Sequence, residues 1–368
     1  MIYYILIELF LALTGLLMTF VLFYRFPKLP HGTSTSSILR VSVVIPARNE
    51  EENLPHLLSA LRNQTFLPFE IFVVDDASQD QTAEIARSFG AVVLTPPEKP
   101  EGWVGKSWAC QFGAERASGE LLLFLDADVD LAPDGVSRLI AAYEQGGSAI
   151  SVQPFHLPKR AYEQFSLFYK LVQIGANGSA LRRPISLGLY GPVILIPREQ
   201  YASIGGHTRI RSHILEDMAL GELLRKNGVP YRLFIGDSGL SFRMYPEGLN
   251  SLLQGWTKNL AAGAAKTPFP LFMPVFLWIM SAVSVPLHLV LFALMAEQFG
   301  MIAFGTLYCI WVAVLFFLSR RVGRFSPLAI ALFPVPMAVF LAVFVVSVFK
   351  RLFGWNVIWK GRAIRPDR

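Results

Sequence analysis

Four long apolar segments, one at the start of the chain and three near its end, restrict what this sequence can fold into. The first covers 2–24 and holds one charged residue, Glu8, and the others cover 269–295, 301–319 and 328–349. Each is long enough to cross the hydrocarbon core of a bilayer as a helix. A cleaved signal peptide is disfavoured for the first segment, because no basic residue precedes it and no small-residue cleavage pattern follows it. The sequence therefore predicts a membrane protein with spans at both ends.

The apolar segments also set the expected domain organisation. We expect a transmembrane helix at 1–24, a linker at 25–39, a soluble domain at 40–268, a C-terminal transmembrane region of two or three segments at 269–349 and a basic tail at 350–368. The soluble domain is large enough to bury a core of its own.

Positive charge is concentrated at the end of the chain. The whole chain carries a formal charge of +6, whereas the last 50 residues hold nine Lys and Arg against one Asp, a balance of +8. Such an excess beside apolar segments suits anionic lipid headgroups, and no nucleic-acid-binding motif accompanies it. The two cysteines, Cys110 and Cys309, are poorly placed for a disulfide, as expected in a reducing compartment.

Basic residues around the apolar segments predict the orientation. Arg25 and Lys28 follow the first segment and none precedes it, so the positive-inside rule places the N-terminus outside and the domain in the cytoplasm of a bacterial cell. Three complete crossings after the domain would put the basic tail outside, against the rule. We therefore expect a cytoplasmic tail, reached through a re-entrant segment or through a hairpin at the proline-rich stretch 331–337.

The first part of the soluble domain alternates short apolar runs with helical patterns. VSVVI reads as a strand ended by Pro46, after which Asn49 is a candidate helix cap. EIFVVD, AVVL and LLLFLD read as three further strands, with helices between them. This alternation predicts an α/β domain with a mostly parallel sheet flanked by helices.

Acidic residues follow two of these predicted strands. Asp75 and Asp76 end the second, and Asp126, Asp128 and Asp130 follow the fourth. We expect these strands to be neighbours, so that both acid clusters lie at the carboxyl edge of the sheet, where open α/β folds bind ligands. Carboxylates together with diphosphate oxygens suit Mg²⁺ or Mn²⁺. Neither a G-x-G-x-x-G turn nor a P-loop occurs, which disfavours dinucleotide and P-loop folds.

The stretches RVSVVIPARNEEENL, VVDDASQD, GKSWA and FLDADVD, in this order, resemble the nucleotide-binding half of the family 2 glycosyltransferases, which have the GT-A fold. The resemblance implies a UDP-sugar donor bound within 40–130 and a divalent cation. By matching position it implies that Asp126 and Asp128 hold the metal. The nucleotide-sugar ligands that it implies in this half are Pro46, Glu50, Asp75, Asp76, Lys106 and Asp126.

The second half, 131–268, is expected to bind the acceptor. Glu216 and Asp217 open an amphipathic helix, and in family 2 enzymes such a pair supplies the general base, which Asp217 matches. LNSLLQGWTKNLAAGA has apolar residues at helical spacing and could lie along the membrane surface. Membrane-bound relatives often carry Q-x-x-R-W here, whereas this chain has QGWTK. By this partial match, Trp256 would wall the acceptor site and Lys258 would face the diphosphate, although a lysine cannot reproduce the two-pronged contact of an arginine.

A narrower resemblance suggests the acceptor. GKSWAC, SVQPFH, YEQFS, GGH, FRMYPEG and GWTKN are similar to the 4,4'-diaponeurosporenoate glycosyltransferases, which join a sugar from UDP-glucose to the carboxyl of a C30 carotenoid acid during staphyloxanthin-type carotenoid biosynthesis. The resemblance implies an inverting enzyme with a lipid-phase acceptor at the cell membrane, alongside other carotenoid-pathway enzymes.

Alternative functions stay open from the sequence. The same fold could act on another lipid hydroxyl or phosphate, such as a hopanoid, a diacylglycerol, a ceramide-like alcohol or a polyprenyl phosphate. A non-catalytic membrane scaffold is disfavoured by the retained acid clusters. A carboxylate acceptor is already ionised near neutral pH and needs no base, so a working base at Asp217 would favour a hydroxyl acceptor.

Overall fold

The computed structural model describes residues 2–32, 39–359 and 362–364, of which 357–359 and 362–364 are described by their backbone alone. The predicted linker stretch TSTSS (33–37) lies outside the described residues. The helices are α1 Ile2–Leu22, α2 Leu54–Arg62, α3 Thr82–Ser88, α4 Gly105–Ala114, α5 Gly135–Glu144, α6 Ser166–Asn177, α7 Arg198–Ser203, α8 Glu216–Lys226, α9 Leu249–Lys266, α10 Phe269–Leu294, α11 Gln298–Val322, α12 Pro327–Ala331 and α13 Pro334–Leu352. The strands are β1 Val41–Ala47, β2 Glu70–Asp75, β3 Val92–Leu94, β4 Leu121–Leu125, β5 Val129–Leu131, β6 Ala149–Gln153, β7 Phe155–His156, β8 Val193–Pro197, β9 Tyr231–Ile235, β10 Leu240–Phe242, β11 Val357–Trp359 and β12 Arg362–Ile364.

The chain forms two compact units. The helical unit comprises Met1–Phe26, Pro158–Ser186 and Glu247–Trp355, and the sheet unit comprises the remaining stretches, Pro27–Leu157, Leu187–Pro246 and Asn356–Arg368. The sequence predicted a single domain over 40–268, whereas two stretches of that range group with the apolar helices. The reason is that α6 and α9 pack against those helices, as the contacts of the helical unit show.

A seven-stranded sheet forms the centre of the sheet unit, in the order β3-β2-β1-β4-β8-β6-β9. The pairs β1–β2, β2–β3, β1–β4 and β6–β9 are parallel, and β8 runs antiparallel to β4 and β6. The expectation of a mostly parallel sheet is therefore confirmed. The expectation that the two acid-bearing strands are neighbours is wrong, because β1 lies between β2 and β4 and separates them by about 10 Å.

Helices cover both faces of this sheet. On one face, Leu57 and Leu61 of α2 pack with Leu139 of α5 in a core that includes alternate residues of β1 and β4. On the other face α4 approaches very closely, since a Cβ at Gly113 would lie 2.5 Å from the side chain of Val44. Strands buried on both faces explain why β1 and β4 read as nearly continuous apolar runs.

The helical unit is built around antiparallel packing of α1 and α10. Trp278 donates from Nε1 to Thr19 Oγ1 over 3.0 Å, and Tyr4 Oη lies 3.0 Å from His288 Nε2 at the other end of the pair. α11 returns alongside α10, with the rings of Trp278 and Trp311 5.4 Å apart. Four helices of the described chain, α1, α10, α11 and α13, are long and apolar enough to cross a membrane.

Candidate active site

The D-x-D segment, Asp126 to Asp128, lies between the central sheet and a second, three-stranded sheet. β4 ends at Leu125, and the chain then enters β5, which pairs with β10. Asp126 N donates to Pro192 O over 2.9 Å, and Val129 N donates to Asp126 O over 3.2 Å. These bonds fix the backbone of the segment at the carboxyl end of β4, where the sequence predicted it.

Lys106 joins the two acidic segments of the site. Its Nζ lies 2.7 Å from Asp126 Oδ1 and 3.0 Å from Glu216 Oε1. Burial alone lowers the pKa of Lys106, but the two carboxylates reverse this and raise it well above its ordinary value. Lys106 therefore stays charged, and residues from α4, the end of β4 and the start of α8 meet around one ammonium group.

Asp217 lies beside this cluster and is held by backbone groups. Its Oδ2 accepts from Gly191 N over 3.0 Å, and its Oδ1 accepts from Met218 N over 2.7 Å. Burial, followed by the charge of Glu216, raises the pKa of Asp217 to about 6, although Lys106 and the two backbone bonds oppose the rise. A carboxylate with such a pKa is suited to exchange a proton near neutral pH.

The loop that brings Gly191 to Asp217 packs closely against α8. This contact was not predicted from the sequence. A Cβ at Gly188 would lie 2.6 Å from Met218 Cα, and a Cβ at Gly221 would lie 2.7 Å from Gly188 Cα. Glycine at both positions allows the two backbones to touch. The signal in the sequence was the pair of glycines in GLYG (188–191) facing the glycine inside MALG (218–221).

A hydrogen-bonded cluster lies at the end of α7, close in sequence to the E-D pair. Tyr201 Oη lies 2.7 Å from His207 Nδ1 and donates to Gln111 Oε1 over 3.0 Å. Burial lowers the pKa of His207 to about 4, so the imidazole is neutral at physiological pH. His207 is thus a buried packing residue against Phe124, with ring centroids 5.5 Å apart.

Four of the predicted nucleotide-binding residues lie at the ends of β1 and β2 or in the loops that follow these strands, and a hydrogen bond joins the two loops. Asp75 Oδ1 accepts from Ser78 N over 3.0 Å, and Asp76 O accepts from Arg48 Nη1 over 2.6 Å. Pro46 lies within β1, and Glu50 Oε2 accepts from Asn53 Nδ2 over 2.9 Å. The predicted helix cap at Asn49 is wrong, because α2 begins only at Leu54 and Asn49 has a positive φ of 51°. Both loops lie at the same edge of the sheet as the D-x-D segment: the loop after β1 follows the strand next to β4, and the loop after β2 is one strand further away.

Trp256 and Lys258 belong to α9 in the helical unit. Trp256 is fully buried and stacks on Tyr169, with ring centroids 5.1 Å apart and planes 4° from parallel. The predicted roles of these two residues toward acceptor and diphosphate remain predictions.

The residues present suit a hard divalent cation shared with a substrate. Asp126 and Asp128 carry carboxylate oxygens two positions apart in the chain. Within the described residues no group of three His, Cys, Asp or Glu is placed to hold a metal ion by itself. Mg²⁺ and Mn²⁺ are commonly held by one or two carboxylates together with phosphate oxygens. The donor set therefore fits a cation that arrives with a diphosphate.

Comparison with known proteins gives concordant results. A model of the Glycosyl transferase family 2 matches residues 42–193. A 4,4'-diaponeurosporenoate glycosyltransferase of Staphylococcus aureus strain USA300 is 36% identical over 330 residues, which cover 88% of this chain and 87% of that protein. The protein of the same name from strain MRSA252 gives the same identity and coverage.

Among solved structures, the mannosyltransferase PcManGT from Pyrobaculum calidifontis, in complex with GDP-Man and Mn²⁺, has a TM-score of 0.53 at 17% identity, over 93% of this chain and 99% of that one. At this identity the likeness concerns the fold alone, and it agrees with the GT-A fold expected from the sequence.

Proposed function

The chain belongs to glycosyl transferase family 2, and on this premise we propose that it transfers a sugar from a nucleoside-diphosphate donor to the carboxylate of a C30 carotenoid acid at the membrane surface. The observation that carries the proposal is the convergence of Lys106, Asp126 and Glu216 beside Asp217. The relatives that cover most of the chain are named for this acceptor, and they support the choice among lipids.

The donor that we propose is UDP-glucose. Its diphosphate carries negative charge, for which Lys106 supplies a charged donor in the sheet unit. Asp126 and Asp128 would hold Mg²⁺ or Mn²⁺, which offsets charge on the departing diphosphate when it is bound. The Mn²⁺ that accompanies GDP-Man in the PcManGT complex supports a divalent cation.

The proposed reaction is a single displacement at the anomeric carbon. A carboxylate oxygen of the acceptor forms a bond to this carbon while the bond to the diphosphate oxygen breaks, and UDP leaves with the electron pair. The sugar is thereby inverted and joined as an ester. Since an ordinary carboxyl has a pKa of about 4, the acceptor is already ionised and no proton has to be removed.

A second candidate is transfer to a lipid hydroxyl, which Asp217 specifically favours. A hydroxyl must lose its proton as it attacks, and a carboxylate with a pKa of about 6 suits that task. With a carboxylate acceptor Asp217 would instead orient groups, and its charge would oppose that of the acceptor.

The experiment compares acceptors directly. Membranes containing the chain are incubated with labelled UDP-glucose, other UDP-sugars or GDP-mannose, together with a C30 carotenoid acid, the matching carotenoid alcohol or a polyprenyl phosphate. We expect label in an alkali-labile ester of the acid. Transfer to the alcohol or the phosphate, with none to the acid, would contradict the proposed acceptor.

Matched variants test the site in the same assay. Asp128→Asn should lower turnover by about 100-fold or more with every acceptor, since the cation that offsets the negative charge of the leaving group loses a ligand. Asp130→Asn is the control, because Asp130 is exposed in β5, two residues further along. Equal activity of the two variants would exclude the proposed metal-binding role.

A further inference from the structure

Helix α13 is apolar enough to cross a membrane, but its contacts within the helical unit describe a different path. α1, α10 and α11 form an antiparallel set, in which the end of α1, the start of α10 and the end of α11 lie at one end of the bundle. We call this the proximal end. The course of α12 and α13 can be measured against it.

The start of α13 lies deep in the bundle. The ring of Phe333, just before α13, lies 6.4 Å from that of Trp311 and 5.0 Å from that of Tyr308. Trp311 precedes Val322, the end of α11, by eleven residues, which corresponds to about 16 Å along a helix. The chain therefore descends from the proximal end to near the middle of the bundle over residues 323–333, which include the short α12.

The later part of α13 lies nearer the proximal end. Ser347 Oγ donates to Thr257 O over 2.6 Å, and Ala261 N donates to the same Oγ over 3.0 Å. Ala261 lies five residues before the end of α9, and only two residues separate α9 from α10. Even if α9 ran parallel to the bundle axis, Ala261 would be only about 8 Å deeper in the bundle than the end of α9, which lies at the proximal end. Ser347 is thus shallower than Phe333, so α13 rises back toward the side from which it came.

At the turn between α12 and α13, polar backbone groups that the helix break would leave unpaired are accounted for within the protein. Tyr308 Oη donates to Ala331 O over 2.6 Å, and Pro334 at the start of α13 has no N–H to leave unpaired. A broken helix is tolerated at membrane depth only where its polar groups find partners inside the protein. Ser326, at the other end of α12, is held by Gln164 Oε1 over 2.9 Å.

Charge and exposure agree with this path. One face of α13 is exposed and apolar, with Val335, Val345 and Phe349 each about half exposed, as expected for contact with acyl chains. The last turn carries Lys350 and Arg351. A complete crossing would carry these charges and the basic tail to the side opposite Arg320 and Arg321 of α11, against the positive-inside rule.

We propose that α12 and α13 form a re-entrant hairpin in one leaflet, so that the chain crosses the bilayer three times and its two termini lie on opposite sides. The exposed face of α13 contacts the acyl chains of the leaflet at the proximal end. The hairpin also removes the conflict that three crossings after residue 268 would cause. This inference is independent of the proposed reaction.

Single cysteines labelled with a membrane-impermeant maleimide test the path. Asn356→Cys reports on the chain after α13, Arg324→Cys on the α11–α12 turn and Gln298→Cys on the α10–α11 turn, three exposed positions. The parent chain is the blank for buried Cys110 and for Cys309 within α11. In intact cells we expect Asn356→Cys and Arg324→Cys to be alike, both labelled or both protected, and Gln298→Cys to show the opposite result. After permeabilisation the protected positions should be labelled as well.

The comparison holds whichever way the chain is inserted, because only the grouping of the three positions matters. Labelling of Asn356→Cys together with Gln298→Cys would overturn the proposal. A second measurement avoids substitutions: peptide tags before Met1 and after Arg368 of the full chain are digested by protease from one side. Protection of one tag and loss of the other is expected, and loss or protection of both together contradicts three crossings.

Discussion

At the scale of single residues, Asp217 combines two backbone hydrogen bonds with a raised pKa. The bonds from Gly191 and Met218 favour the charged form, but burial and the charge of Glu216 outweigh them. Since only the deprotonated carboxylate accepts a proton, kcat/KM with a hydroxyl acceptor should fall as the pH is lowered through about 6. A carotenoid carboxylate should show no such fall, because its own pKa is about 4.

Asp217→Asn separates the two cases further. The pH–rate profile of the variant should lose the limb near 6, with turnover reduced about 100-fold for a hydroxyl acceptor and nearly unchanged for a carboxylate. If the variant is equally impaired with both acceptors at every pH, Asp217 has a role other than proton transfer.

Lys106 permits a second prediction at this scale. Lys106→Met leaves the carboxylates of Asp126 and Glu216 without their shared ammonium, so the KM for the donor should rise about 10-fold or more. The pKa of Asp217 should also rise, because Lys106 lowers it, and any acidic limb should move to higher pH. Lys226→Met is the matched control, since Lys226 forms an exposed pair with Glu222 over 2.7 Å that is worth little. An unchanged donor KM in Lys106→Met would remove Lys106 from the donor site.

Residue types and the family resemblance together reached part of this site. Asp126 was predicted from the carboxylates that a diphosphate-bound cation needs, whereas Lys106 and Glu216 were predicted from the resemblance to family 2 enzymes. The structure brings Lys106 within hydrogen-bonding distance of both acids. The backbone donor of Gly191 could not be predicted in this way, because an N–H is present at every residue except proline and its direction depends on the path of the loop.

At the scale of elements, α8 and the 188–191 loop depend on one glycine contact. Gly221→Ala would gain up to about 1 kcal/mol of helix propensity, but its Cβ would lie 2.7 Å from Gly188 Cα and Leu189 N, backbone atoms that cannot rotate away. The clash should dominate, displacing Gly191 from Asp217 and lowering both the Tm and turnover.

The control for this prediction is Gly263→Ala in α9, where no atom lies within 4 Å of the added Cβ. There the helix propensity acts alone, so thermal unfolding should be unchanged or slightly raised. If Gly221→Ala matches this control in Tm and in activity, the close packing of loop and helix is not needed.

The presence of the strands was predicted better than the residues at which they begin and end. Each of the first four strands has a counterpart in the structure, and β1 and β4, which are buried along almost their whole length, left the strongest apolar signal. Pro46 was expected to end β1, yet the strand continues to Ala47. The reason is that β4 pairs with β1 only as far as Val44, whereas the pairing with β2 continues. A proline is tolerated where one side of a strand needs no donor, and that depends on the neighbouring strand.

At the scale of the whole molecule, the apolar spans could be predicted from the sequence, but the other helices that pack against them could not. α6 was absent from the predicted membrane region because its sequence includes Lys170 and Gln173 and is too short to span. In the structure it packs among the apolar helices, with the ring of Phe168 6.0 Å from that of Trp278. Such membership depends on contacts between distant parts of the chain, which a local pattern does not encode.

The contact of α1 with α10 gives a prediction for the assembly of the helical unit, which draws on both ends of the chain. A Cβ at Gly15 would lie 2.3 Å from Leu277 O and 2.4 Å from Ser281 Cβ, so Gly15→Val should force the helices apart and break the bond from Ser281 Oγ to Ala12 O. We expect a lower Tm in detergent and loss of a single species on gel filtration. Gly305→Val is the matched control, because its nearest neighbour would be Leu289 Cδ1 at 3.8 Å, an ordinary contact. Small residues permit the close packing on which helix association within a membrane depends, so equal behaviour of the two variants would show that the close contact of α1 with α10 is not needed for assembly.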